Sequence, residues 1–151
     1  MLDDIDRRIL KVLQTDGRIT NQDLAAACGL SPAACHERFK RLRERGDIER
    51  FAALVNPATV DRALMIFVEI QLDRTTAETF DRFAAAVRRA PDILECHMVA
   101  GGFDYLIKAR VKDMAAYRAF LGDTLVDLPG VRETRTYAVL EEVKNTVALP
   151  V

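Results

Sequence analysis

The sequence predicts an α+β protein in two parts, an all-helical N-terminal third followed by a mixed unit with the order strand, helix, strand, strand, helix, strand. Three observations carry this reading. Apolar residues recur at helical spacing up to about residue 46, and the period changes to two at Leu64. Two helices in the second half then each return the chain to a strand through a matching segment, Pro91-Asp92-Ile93-Leu94-Glu95 and Pro129-Gly130-Val131-Arg132-Glu133.

Leu2, Ile5, Ile9, Val12 and Leu13 give one apolar face to a first helix from about Asp3 to Gln14. Thr20-Asn21-Gln22-Asp23, a hydroxyl followed three residues later by a carboxylate, is a capping-box start for a second helix, whose stripe runs from Leu24 to Cys28 and stops at Gly29. Ser31 can cap a third helix with Pro32 in its first turn, where a missing N–H costs nothing, and the pattern holds to Gly46. Its apolar positions are Cys35, Phe39 and Leu42, and its remaining positions include Arg38, Lys40, Arg41, Arg43 and Arg45. Two short helices meeting at a glycine, backed by a third, read as a helix-turn-helix. Basic residues on an exposed helix face are also ordinary solvation, and it is the two-helix punctuation that tips the reading toward DNA. Ile48, Phe51, Leu54 and Val55 then form a short apolar segment, a strand or wing, ending at Asn56-Pro57. The first domain is therefore placed at 1–53, a linker at 54–63 and the second domain at 64–151.

From Leu64 to Leu72 alternate residues are apolar while Glu69 and Gln71 stand on the other parity, which predicts a strand with one wetter face. Thr75 with Glu78 opens a helix carried by Phe80, Phe83, Ala84 and Val87 to Arg89 and ended by Pro91. A strand follows from Ile93 to Val99, and Gly101-Gly102 supplies the turn of a hairpin into Tyr105 to Val111. Asp113 can cap a helix through Tyr117, Phe120 and Leu121, and Pro129-Gly130 closes it before a last strand from Val131 to about Leu140. This is the split β-α-β, ferredoxin-like order, in which two helices cover one sheet face. The other, partly apolar, is left for a partner, so at least a dimer is expected.

Composition narrows the function. Half of the 151 residues are hydrophobic, enough for real cores. No apolar run approaches the roughly 20 residues of a membrane span, and the chain opens on Leu2-Asp3-Asp4 rather than a basic and apolar leader. A cytoplasmic protein without a membrane partner is expected. A net charge of −1 argues against a protein that coats nucleic acid, so any DNA contact must come from local charge. Arg38 to Arg50 holds six basic and three acidic residues, whereas the remainder holds sixteen basic and twenty acidic. Cys28, Cys35 and Cys96 are odd in number and form no C-x-x-C pair, and the neighbours in Cys35-His36 and Cys96-His97 point to different sides. Neither a disulfide framework, nor a metal site, nor a cofactor is expected.

Taken together the chain resembles the Lrp/AsnC family, the "feast/famine" transcription regulators, and particularly its leucine-responsive members. The resemblance is carried by Leu2-Asp3 with Asp6 and Ile9-Leu10, Asp16-Gly17-Arg18-Ile19-Thr20-Asn21, Leu24-Ala25, Gly29-Leu30-Ser31-Pro32, Cys35, Arg38, Leu42, and Gly46 with Ile48. The second half adds Phe67-Val68-Glu69, Glu95-Cys96-His97, Gly101 with Phe103-Asp104-Tyr105-Leu106, Leu128-Pro129-Gly130-Val131, Thr134 with Thr136-Tyr137, and Lys144. So long a colinear set across two unrelated folds is far more specific than any one motif. The resemblance implies an N-terminal winged helix-turn-helix and a C-terminal ferredoxin-like sensing domain of the RAM, or ACT-like, kind. It further implies homodimers that assemble into larger rings, commonly octamers, with a free amino acid bound between dimers as effector. It implies a regulator rather than an enzyme.

On that basis the DNA-facing set is Ser31, Pro32, Ala34, His36, Glu37, Arg38, Lys40, Arg41 and Arg45. Ser31 and the helix N-terminus would meet phosphate, Lys40, Arg41 and Arg45 would neutralise backbone, and Arg38 would reach a guanine edge or a phosphate. Glu37 can select cytosine or face solvent. Ala33 and Ala34 offer few hydrogen bonds, so reading would lean on His36, Arg38 and DNA bending. Arg50-Phe51 stands where the family often has Gly-Tyr. The effector set is Met98, Ala100, Gly101, Gly102, Phe103, Asp104, Thr134 and Thr136. Backbone N–H groups at Gly101 and Gly102 would hold an α-carboxylate and Asp104 an α-ammonium, against the alternative that the glycines serve only to turn the chain. Thr134 and Thr136 share one sheet face, and which face carries the pocket stays open.

Two rival functions use the same residues differently. An architectural protein would wrap DNA around an oligomer without a ligand. A small enzyme would use His97 or Cys96, but no nucleophile and base stand at an interpretable spacing.

Overall fold

Three helices open the chain, and each starts on a side chain that caps it. The computed structural model describes residues 1–151, which divide into one unit of Met1–Ala53 with Lys144–Val151 and another of Leu54–Val143. Helix α1 spans Asp4–Thr15, α2 Asn21–Cys28 and α3 Pro32–Glu44. Asp3 accepts from the N–H of Asp6 at 2.8 Å, Thr20 from that of Asp23 at 3.1 Å and Ser31 from that of Ala34 at 3.3 Å, so each first turn has one of its orphan donors satisfied. Gly29 ends α2 at φ 69°, a left-handed conformation that a side chain would strain. Ile9, Leu24, Ala25, Cys28, Cys35 and Leu42 are buried between the three helices.

Three expectations for this unit change. Phe39 does not join the buried core; it packs at the edge against Phe51, with ring centroids 6.1 Å apart. Residues 47–56 form no strand and so no β-wing, because the segment finds no backbone ladder within the chain. Residues 144–151, placed by sequence in the second domain, fold back among the contacts of the first unit. There the side-chain amide of Gln14 donates to the carbonyl of Leu149 at 2.9 Å and accepts from its N–H at 2.6 Å.

The second unit begins with a 3-10 turn at Pro57–Val60 within the expected linker. Then come β1 Leu64–Leu72, α4 Ala77–Arg89, β2 Ile93–Met98, β3 Tyr105–Val111, α5 Met114–Phe120 and β4 Val131–Ala138. The sheet order is β2-β3-β1-β4 with every neighbouring pair antiparallel, the ferredoxin-like arrangement. Helix α4 is capped by Thr76 rather than Thr75, through a 3.2 Å bond from the N–H of Thr79. Helix α5 widens into a π-helical turn at Leu121–Leu125, where Gly122 lowers helix propensity.

Alternation in β1 sends Ile66, Val68, Ile70 and Leu72 toward the helices, where they are buried with Phe83, Tyr105, Ile107, Phe120 and Leu125. Each such side chain contributes about 1.5–3 kcal/mol. The opposite face is partly apolar, with Met65 beside Arg110 on it. It carries Phe67 and Leu106 among Glu69, Glu95, His97, Lys108, Arg135 and Tyr137, with Lys108 to Glu95 at 3.0 Å and the Tyr137 hydroxyl donating to Glu69 at 3.1 Å.

Candidate functional site

Helix α3 presents Ser31, Pro32, Ala34, His36, Glu37, Lys40, Arg41, Arg43 and Arg45 as exposed residues. Arg38, expected to reach a guanine edge or a phosphate, is instead half-buried and paired with carboxylates of the first helix. Its Nη1 lies 2.6 Å from Asp3 and 2.8 Å from Asp6, and only 24% of its side chain is exposed. Asp6 is buried, at 3% side-chain exposure, and also takes Arg41 at 3.3 Å. Asp3 and Asp6 lie three apart on α1, Arg38 and Arg41 three apart on α3, so two i,i+3 pairs of opposite charge face each other and lock the helices. The hydrogen bond from Arg38, followed by that from the Asp6 N–H, holds the Asp3 carboxyl below its ordinary value of 3.8.

The remaining cations differ in how firmly they are held. Arg45 pairs with Asp47 at 3.2 Å, whereas Lys40 reaches Glu44 only at 3.9 Å. Arg43 lies over the Phe39 ring, 5.9 Å from its centroid. Arg43 lies outside the DNA-facing set that the sequence predicts, yet it is exposed on the same helix one turn after Phe39. His36, Phe39, Lys40, Arg43 and Glu44 line an open groove of about 370 Å³ on α3.

In the second unit the 99–104 loop joins β2 to β3, and Asp104 fastens it. Its N–H donates to the carbonyl of Ile70 at 2.9 Å, its carbonyl accepts from Val99 at 3.0 Å, and its Oδ2 accepts from the N–H of Leu72 at 2.8 Å. One carboxylate oxygen is thus committed to the fold and only Oδ1 is left to meet an ammonium. Gly101 and Gly102 are exposed, neither has positive φ, and a Cβ on either would meet nothing within 4 Å. The turn alone therefore does not require glycine here. Gly102 and Phe103 border a cleft of about 60 Å³ with Glu69, Gln71, Glu133 and Arg135 on the helix-free face.

Thr134 and Thr136 share a face as expected, but it is the other one. They pair with Ile70 and Val68, point to the helical layer, and Thr136 accepts a hydrogen bond from the Tyr117 hydroxyl. Neither lines the cleft. Met98, opposite Tyr105, has the same helix-side parity and is 60% exposed at the end of edge strand β2, while Ala100 is exposed in the loop. Cys96 is half-buried, with burial pushing its thiol up to about 11, and His97 lies 3.2 Å from Glu95. No group of three or more His, Cys, Asp or Glu gathers to hold a metal, and no helix is long and apolar enough to cross a membrane.

A helix-turn-helix with a basic second helix, in one chain with a separate ferredoxin-like unit, is the architecture of a two-domain DNA-binding regulator. The AsnC-type helix-turn-helix domain matches residues 2–43 and the Lrp/AsnC ligand binding domain matches residues 65–149. The chain belongs to the Lrp/AsnC family of transcriptional regulators.

It is 54% identical over 145 residues to the leucine-responsive regulatory protein of Salmonella typhimurium, and 53% identical to that of Escherichia coli K12. Each alignment covers 96% of this chain and 88% of the relative. These relatives are regulators, not enzymes. Among solved structures, a transcriptional regulator from Neisseria meningitidis in complex with L-methionine superposes with a TM-score of 0.94 at 39% identity. An AsnC family transcriptional regulator from Agrobacterium tumefaciens does so with 0.94 at 34%. Both matches cover 99% of this chain and 97% of the other.

Proposed function

We propose that this chain represses or activates transcription by binding a DNA site as a homo-oligomer, and that a free apolar amino acid of the leucine or methionine type sets its grip. The observation that carries the effector half is the 99–104 loop. It offers unobstructed backbone at Gly101 and Gly102 for an α-carboxylate and the Oδ1 of Asp104 for an α-ammonium. The relatives named for leucine and the neighbour solved with L-methionine support an apolar side chain on that ligand. One chain encloses about 60 Å³ there, against about 300–1,000 Å³ for ligand pockets, so a second copy has to complete the site. This supports an effector seated at a contact between copies, where its binding changes how copies assemble; an octamer is the assembly the family resemblance favours.

On the DNA side, the N-terminus of α3 with Ser31, Pro32 and Ala34 meets phosphate, His36 and Glu37 reach the groove, and Lys40, Arg41, Arg43 and Arg45 neutralise backbone. A titration of operator DNA with and without each of the twenty amino acids tests the whole reading. At 100 times its dissociation constant an effector should also stabilise the protein by about 2.7 kcal/mol. Indifference of DNA affinity, oligomer size and stability to all twenty would leave a ligand-independent architectural protein instead.

A further inference from the structure

The second unit is left by the chain twice, before Leu54 and after Val143. Both exits converge on Arg110, near the C-terminal end of β3. Its Nη1 donates to the carbonyls of Arg62 and Ala63 at 3.5 and 3.4 Å, where the first connection ends. Its Nη2 donates to the Glu142 carboxylate at 2.7 Å, where the second begins. The Arg110 side chain is 9% exposed and Glu142 34%. A buried guanidinium on a sheet face needs such acceptors, and its planar fork can address carbonyls in one direction and a carboxylate in another, which a lysine ammonium cannot do with the same geometry.

Strand β3 runs from Tyr105, next to Asp104, to Val111, and its Ala109 and Ile107 are fully buried against the helices. The five-residue rise from Tyr105 to Arg110 is about 17 Å of extended backbone. A displacement of the 99–104 loop therefore reaches Arg110 through a stiff, hydrogen-bonded element. The geometry points to Arg110 as a positioning residue that pins both connections of the ligand-binding unit together, so that they move as one. Building on the effector reading above, it is also the point at which effector binding is passed on to DNA binding.

Hydrogen–deuterium exchange on the full-length protein tests the pin without any ligand. Glu142→Gln leaves one arm of the fork with only a neutral acceptor, and it is expected to speed exchange at least about fivefold in peptides covering 58–63 as well as in those covering 139–143. Acceleration confined to 139–143 overturns the pin. The coupling is tested with Arg110→Lys and Glu142→Gln by measuring operator affinity with and without saturating L-methionine or L-leucine. Both variants should keep ligand-free DNA affinity and the ligand-induced rise in Tm within about twofold and 1 °C of wild type. The effector-induced fold-change in DNA affinity, ordinarily about 5–150-fold, should fall to within about twofold of unity. An unchanged fold-change in a variant that folds and binds the amino acid overturns the coupling role. If neither amino acid alters wild-type Tm or DNA affinity, the effector reading fails, and the exchange experiment still decides whether Arg110 pins the two connections. Should Arg110→Lys not fold, Glu142→Gln alone carries both measurements.

Discussion

Replacing Arg38 by alanine separates two roles that a basic residue on a recognition helix can have. The guanidinium touches Asp3 at 2.6 Å and Asp6 at 2.8 Å, and Asp6 keeps only 3% of its side chain exposed. Arg38→Ala would leave that buried carboxylate with Arg41 alone, at 3.3 Å and from a half-exposed position. Breaking a buried pair costs about 3–5 kcal/mol, and the remaining Arg41, as a partly exposed partner, returns up to about 1 kcal/mol. A loss of about 2–4 kcal/mol in the first unit follows. Native-state hydrogen exchange of the α1 and α3 amides reads it locally, and in a cycle with Asp6→Ala the two losses should fall short of additive by about 1–3 kcal/mol. Because its charge is already neutralised, Arg38→Ala should also leave the salt dependence of DNA binding nearly unchanged, whereas Lys40→Ala or Arg43→Ala should each lower the slope by about 0.9 per subunit. The reasoning is refuted if Arg38→Ala folds as stably as wild type and loses affinity for one base pair selectively, since Arg38 would then leave the carboxylates to read DNA.

Three further outcomes are expected. Gly130→Ala should cost about 2–3 kcal/mol in urea unfolding, because φ is 75° and a new Cβ would stand 2.8 Å from the Thr79 methyl, while Gly101→Ala should stay within about 0.5 kcal/mol. At pH 8 the Cys96 thiol, raised to about 11, is ionised in about one molecule in a thousand, and Cys28 and Cys35 are buried. Ellman's reagent should therefore label native protein slowly and all three thiols quickly once it is unfolded; rapid reaction of native Cys96 would contradict its packing. The folded pKa of Asp3 lies below its unfolded value, so its stabilisation is full above about pH 4 and is lost as pH falls through the folded value. Asp3→Asn, which still caps α1, should flatten that acid limb, measured as urea midpoints at pH 5 and pH 3; an unchanged limb would assign the acid sensitivity elsewhere.

The periodicities that predict the fold are local, and local features are what sequence exposes. Caps at Asp113, Thr20 and Ser31 and the nine residues of β1 can be read from neighbours three residues apart or from strict alternation. Arg38 escaped because its partners lie 32 and 35 residues away, although the matching i,i+3 spacing of Asp3-Asp6 and Arg38-Arg41 is visible in retrospect. Thr134 and Thr136 illustrate a different gap. Alternation says that they share a face, but only their register against Ile70 and Val68 says which one. The grouping of 144–151 with the first unit, where Gln14 bonds the backbone of Leu149 twice, has no periodic signature at all.

The disposition of charge on α3 bears on why such a protein has to assemble. Of its cations, Arg38 and Arg41 are engaged by carboxylates of α1 and Arg45 by Asp47, which leaves Lys40, loosely held, and Arg43, resting on a ring. With Lys40 and Arg43 free to act, and Arg41 and Arg45 competing between carboxylate and phosphate, at most four phosphates are neutralised per subunit, a salt slope of about 1.8–3.6. Tying down the other cations orients α3 at the expense of its own affinity. Affinity then has to come from a second recognition helix held at fixed spacing, because a linked pair binds its second half-site at high effective concentration. For a helix so sparsely charged, any event that changes how copies are held would be felt as a change in DNA affinity. An isolated subunit, by the same count, should bind its operator weakly and lose that binding as salt is raised.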